Sequence, residues 1–81
     1  MYYVYILKSL KDNLHYIGSS RDVNSRLAFH NSRKQRSTRN RTPFVLVYIE
    51  EFPDKTHALK RERQIKLYKG GEAFKKLLGE V

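Results

Sequence analysis

There is no cysteine in this chain, so neither a disulfide framework nor a thiolate metal site can hold it together, and core packing must supply the stability. The absence also suits a reducing cytoplasm. No apolar run approaches the roughly 20 residues that a membrane-spanning helix needs, and the N-terminus lacks a basic segment ahead of an apolar one. Neither insertion into a bilayer nor export is expected, and a cytoplasmic location is. Acid is scarce. Against 17 Lys and Arg stand 8 Asp and Glu, for a formal charge of +9 and an isoelectric point near 10.0. So basic a small domain draws polyanions, and nucleic acid is the commonest polyanion in a cytoplasm. An aromatic stripe on a basic amphipathic helix, the mark of a membrane-surface protein, is missing. An acidic protein is the other candidate partner. Internal repeats and linkers are absent too, and 81 residues make one expected domain, 1–81, near the lower limit for a single unstapled core.

What is present reads as a short α+β chain. Tyr2 to Leu7 is a nearly continuous apolar and aromatic run, the pattern of a strand covered on both faces and therefore central in its sheet. Lys8 to Asn13 is polar and turn-forming, and Leu14 to Gly18 returns as the second strand of a hairpin. Ser19 and Asp22 stand at capping-box spacing and predict a helix that begins near Val23 and ends around Asn31 to Lys34. Ser32 to Pro43 is a polar loop without a hydrophobic anchor. Phe44 to Phe52, again β-branched and aromatic, is a third strand broken by Pro53-Asp54. Asp54 or Thr56 can cap the next helix, which Gly70-Gly71 stops near Tyr68. Glu72 to Leu78 predicts a short last helix whose Phe74, Leu77 and Leu78 dock on the core. The expected fold is ββαβα plus a short C-terminal helix: a three-stranded antiparallel sheet with helices packed on it.

Charged residues at odd places carry the functional signal. At 100° per residue Ala58, Leu59, Ile65 and Lys66 form one helical stripe, and Glu62 falls in its middle. A carboxylate on a core-facing stripe needs a partner, because leaving it bare costs several kcal/mol. That partner is either Arg61 or Lys66 within the helix, or a divalent cation. On the first helix Val23 and Leu27 mark the inward side; His30 shares it and Arg26 flanks it, so the two can reach a common point. Arg26 can equally be a solvated side chain over the core edge, and His30 a hydrogen-bonded histidine at a helix end. Arg33, Lys34, Arg36, Arg39 and Arg41 crowd the polar loop with no acid and no aromatic among them, which suits phosphate contact without base stacking. A solvated charge run is the plainer reading of the same loop.

Tyr3-Val4-Tyr5, Tyr16-Ile17-Gly18, Arg26 and Glu62, in that order, resemble the signature of the GIY-YIG nuclease family. Thr42-Pro43 before the third strand and Ala58-Leu59-Lys60-Arg61-Glu62 in the later helix add to the likeness, which runs from about Tyr2 to Lys66 and points to small stand-alone bacterial members. The resemblance implies metal-assisted hydrolysis of a phosphodiester. Tyr5 is the general base and Tyr16 its assistant, or the reverse; Arg26 steadies the transition state, and Glu62 holds Mg²⁺ or Mn²⁺ weakly until substrate supplies further ligands. A phenol, with a pKa near 10, serves as a base only where positive charge favours phenolate, here Arg26 and the cation. Gly18 then leaves room for the substrate backbone, and Lys66 contacts a phosphate or is merely solvated. Tyr2, Tyr48 and Tyr68 are structural, and Ser20, where relatives often have threonine, begins the helix. Two departures stand out: Tyr3 and Val4 replace the glycine and isoleucine of the first tripeptide, and there is no room for the recognition modules of larger relatives. The expected activity is a DNA-directed, Mg²⁺-dependent endonuclease, possible selectivity resting on nucleic-acid shape. The alternatives are a non-catalytic nucleic-acid-binding module that keeps the fold, and a domain whose basic face meets an acidic protein.

Overall fold

Three strands and three helices follow the predicted order: β1 (Tyr2–Ser9), β2 (His15–Ser20), α1 (Val23–Asn31), β3 (Phe44–Phe52), α2 (Lys55–Leu67) and α3 (Glu72–Leu77). The computed structural model describes residues 1–36 and 38–79; Ser37, inside the predicted polar loop, and Glu80 and Val81, at the end of the expected domain, lie outside them. The strands form one antiparallel sheet in the order β2-β1-β3. The α+β expectation therefore holds, with β1 central.

Alternation along β1 builds two cores. Val4 and Ile6 face one way and pack with Ala58 and Ile65 of α2 and Phe74 of α3. Tyr5 and Leu7 face the other way and meet Val23 of α1 and Phe44 of β3. All four β1 residues are buried because helices cover both faces, which is why the run lacks polar alternation. As expected, Leu77 and Leu78 join Phe74 on the core, and Tyr2, Tyr48 and Tyr68 pack there too.

The hairpin is tighter than expected. Lys8 and Ser9 still belong to β1, and the Asp12 carboxylate accepts from the Leu14 amide at 2.9 Å while Asn13 takes a left-handed φ of 61°. The cap of α1 also differs: Asp22 itself accepts from the Ser25 amide, and Ser19 takes no part in it. Asp54 caps α2 as expected, through the His57 amide. On α2, Ala58 and Ile65 are buried but Leu59 is 41% exposed, since the sheet covers a narrower arc than the hydrophobic stripe offers.

The Ser32 to Pro43 connection is anchored, contrary to expectation, and the anchor is polar. Thr38 is fully buried, and Arg39–Arg41 forms one 3₁₀ turn. The Asn31 side chain donates to the Phe44 carbonyl and accepts from its amide, at 3.0 and 2.7 Å, tying the start of the loop to its end. Ser9 donates to the Arg41 carbonyl, and Arg41 donates to Asp12 at 2.9 Å while lying over the Phe44 ring.

Candidate active site

The predicted site residues meet around β2, one of the two edge strands of the sheet. In the hairpin register Tyr5 stands opposite Gly18 and Leu7 opposite Tyr16, so Tyr5 and Tyr16 are diagonal neighbours on one face. The Tyr5 phenol lies across Gly18. A Cβ at that position would sit 2.6 Å from the phenol oxygen and 2.7 Å from Cζ. The space left by Gly18 is thus filled by Tyr5, which corrects the expectation that a substrate backbone uses it.

The environment of Tyr5 brings together side chains from four elements. Burial, the largest influence, pushes its phenol above the usual tyrosine value; the charges of Tyr16 and Glu62 push the same way, while hydrogen bonding and positive charge from Arg26 pull it down. Arg26, whose guanidinium also lies 5.1 Å from the centre of the Phe29 ring, is thus on the Tyr5 side of the sheet with Tyr16, and Glu62 acts on the phenol through its charge. The net direction matters chemically. Arg26 alone does not turn Tyr5 into a base, and further positive charge is needed at the rim.

Glu62 comes to that rim from the opposite layer. Its side chain is 15% exposed, and its two oxygens are engaged: one accepts from the Ser19 hydroxyl at 2.7 Å and the other pairs with Lys66 Nζ at 2.7 Å. Within the helix Glu62 pairs with Lys66 and not with Arg61, which turns to Glu50 at 3.0 Å. Ser19 stands opposite Val4, hence on the α2 side of β2, one residue from the Gly18 that faces Tyr5. The sequence reading missed this residue because Ser-x-x-Asp looks like a helix cap; the alternation of β2 is the signal that could have found it.

Among the described residues no group of three or more His, Cys, Asp or Glu is arranged to hold a metal. An all-protein cage is absent there. A single, largely buried carboxylate, oriented by a hydroxyl and paired with a lysine that is 55% exposed, has the hard oxygen chemistry of a site completed by water and phosphate. Glu62 with Ser19 behind it fits Mg²⁺ or Mn²⁺ in that limited sense.

His30 is fully buried and its ring centre lies 4.5 Å from that of Tyr16. Nδ1 is 3.1 Å from the Thr38 hydroxyl, while Nε2 is buried without a hydrogen-bond partner among the described residues. Burial first, then the charge of Arg26, holds its pKa below the ordinary 6.5. A neutral imidazole behind Tyr16 results. Thr38 was not foreseen either, since nothing in its neighbourhood marks it as buried.

The cationic candidates divide. Arg33, Lys34, Arg36 and Arg39 are exposed, whereas Arg41 is half-buried in its contacts with Asp12 and Phe44 and helps to hold the loop. Lys66 reaches toward Glu62.

Comparison with known proteins gives the same direction. Residues 1–73 match the model of the GIY-YIG catalytic domain. The UPF0213 protein SH2523 of Staphylococcus haemolyticus is 43% identical over 75 residues, covering 91% of this chain and 90% of that one. The UPF0213 protein SERP0126 of Staphylococcus epidermidis is 44% identical over 68 residues, covering 83% and 82%. A solution NMR structure of the UPF0213 protein BH0048 from Bacillus halodurans is 40% identical, with a TM-score of 0.49 over 83% of this chain and 72% of that one.

Proposed function

Because this chain belongs to the GIY-YIG catalytic domain family, a family of nucleases, we propose that it is an endonuclease that hydrolyses phosphodiester bonds in DNA with Mg²⁺ or Mn²⁺. The observation that carries this reading is geometric: the hairpin register sets Tyr5 diagonal to Tyr16 on β2, and Glu62 reaches the same strand through Ser19 at 2.7 Å, with Arg26 and Glu62 among the groups that influence the Tyr5 phenol. Those residues come from β1, α1, β2 and α2. A purely structural tyrosine does not require that company.

In this reading Arg26 grips a phosphate laid along the rim, and its planar fork stabilises the extra negative charge of five-coordinate phosphorus. As phenolate, its own proton first released to solvent, Tyr5 would accept the proton of the attacking water with Tyr16 beside it; a cation on Glu62 would supply the positive charge that favours this phenolate. His30, held by Thr38, backs the Tyr16 ring. Glu62 would hold the cation, with Ser19 keeping the carboxylate aimed, and Lys66 would then turn to a phosphate. A bound divalent cation supplies charge that stabilises the departing oxygen. Arg33, Lys34, Arg36 and Arg39 bring the DNA backbone in without reading its sequence, and Arg41 holds their loop in place through Asp12 and Phe44. The chain acts as one domain, in the cytoplasm.

A second reading, a binding module without turnover, draws on one observation: both oxygens of Glu62 are already engaged. The two separate in one assay. Wild type, Tyr5→Phe and Glu62→Ala are incubated with branched, single-stranded and duplex DNA, with and without Mg²⁺ or Mn²⁺. The nuclease cuts only with metal and only as wild type. Binding without cleavage of any substrate leaves the module, and cleavage that survives Glu62→Ala unchanged belongs to a contaminant.

A further inference from the structure

Lys66 borders a second feature that the reaction scheme does not use. A hollow of about 340 Å³ opens beside it, with Ile17 and Phe74 as its floor, Leu14 at one side, and Arg41, Lys66 and Lys69 around it. No acidic side chain lines it among the described residues. Resting on the nuclease reading, we propose that this hollow is a subsite for one unstacked nucleotide next to the scissile phosphate.

Three observations converge. The wall chemistry is mixed in the way a nucleotide is mixed, with apolar surface for the flat base and the ammonium groups of Lys66 and Lys69 for its phosphate. Leu14 is 61% exposed, an apolar side chain kept in water on the rim side of the hairpin, and the Phe74 ring below carries His15 edge-on at 5.1 Å. Bare phosphate or an acidic peptide has no use for that floor. Second, the volume lies at the low end of the roughly 300–1,000 Å³ typical of small-ligand sites, enough for one nucleotide and not for a duplex step. Third, Lys66 joins the hollow to the reaction: its Nζ is 2.7 Å from Glu62, and its stem lines the wall. A phosphate that draws Lys66 off Glu62 frees the carboxylate, so filling the hollow and preparing Glu62 are one event.

The substrate class follows. A base inside a duplex offers only its edge, so a nucleotide can enter only from a flap, a branch, a strand end or a position extruded from the stack. Selectivity for such structures then resides at the rim itself.

The test titrates uniformly ¹⁵N-labelled full-length protein, without divalent cation, with deoxyadenosine 5′-monophosphate, with deoxyadenosine and with inorganic phosphate at matched ionic strength. The expected result is that the nucleotide moves the amide signals of Leu14, Ile17 and Gly70, that phosphate alone moves only those near Lys66 and Lys69, and that the nucleotide binds more tightly than either part. Leu14→Asn, a neutral polar change at an exposed position, weakens nucleotide binding roughly tenfold or more and leaves phosphate binding unchanged. Lys69→Gln weakens the phosphate contribution instead. Identical shifts and affinities for nucleotide and phosphate, or indifference to Leu14→Asn, overturn the subsite and leave a site for charge alone. The nuclease reading is judged separately: DNA cleavage without a nucleotide response removes the subsite only, and a nucleotide response without cleavage of any DNA removes the nuclease only.

Discussion

A methyl group placed on Gly18 would stand 2.6 Å from the phenol oxygen of Tyr5, closer than any side chain tolerates. The two residues face each other across the hairpin and act as one unit, the glycine existing so that the ring can cross the rim strand. Gly18→Ala is therefore expected to destabilise the fold by about 1–3 kcal/mol through overpacking. For a domain of this size that lowers the melting temperature by roughly 4–8 °C per kcal/mol. DNA cleavage should fall further than stability explains, because the ring that must move is the proposed base. An unshifted melting curve would refute the close packing.

Thr38 is expected to matter for stability out of proportion to its place in a loop. Thr38→Val keeps the shape but leaves His30 Nδ1 buried without its 3.1 Å partner, at a cost of about 1–3 kcal/mol. Thr38→Ser retains the hydroxyl and should recover most of it. Urea unfolding of the three proteins decides the matter, and equal midpoints for Val and Ser would count against it.

His30 also sets a pH dependence. Unfolded, it titrates near 6.5; folded, it titrates lower, because burial and Arg26 oppose its charge. Between those two values the unfolded chain binds more protons, so stability rises with pH across that window. The contribution is complete above the unfolded value and shrinks as pH falls below it. Unfolding free energies measured downward from pH 7 should decline for wild type, with a shallower decline for His30→Asn. Parallel curves would exclude His30 as the source.

Elements and site were not equally legible in the sequence. Strands and helices follow from period and from turn residues, and the inward position of Glu62 follows from 100° geometry alone. Its partners do not. Ser19 is 43 positions from Glu62, and no local rule connects a strand hydroxyl to a helix three elements later. The Tyr5 and Gly18 pairing depends on hairpin register, which the length of the turn decides, and the polar run Lys8 to Asn13 is longer at its start than the turn, since Lys8 and Ser9 pair in β1. The loop carries no apolar anchor, and its ties, Thr38 to His30 and Arg41 to Asp12, are polar and leave no hydrophobic pattern in the sequence.

Lys66 competes with any cation for Glu62. Removing it by Lys66→Ala should tighten Mn²⁺ binding in the absence of DNA several-fold, as followed by paramagnetic broadening of signals around Ser19 and Glu62. Broadening that is equal in Lys66→Ala and in Glu62→Gln would place the ion elsewhere.

The loop cations are expected to act additively on salt dependence. Each of Arg33, Lys34, Arg36 and Arg39 that meets a phosphate should lower the slope of log affinity against log salt by about 0.9 when neutralised. Arg41→Gln should instead lower the melting temperature, because its guanidinium is spent on Asp12 and Phe44. Gel shifts at several salt concentrations, with thermal melts alongside, distinguish the two behaviours.

The sheet order leaves β2 paired on one side only, along the stretch that carries Tyr16, Gly18 and Ser19. Its outward amides and carbonyls are recognition groups that every amino acid possesses alike. Whatever binding energy they lend to a polynucleotide will be invisible to alanine scanning, and only backbone chemistry, such as ester substitution of single peptide links, can reveal it.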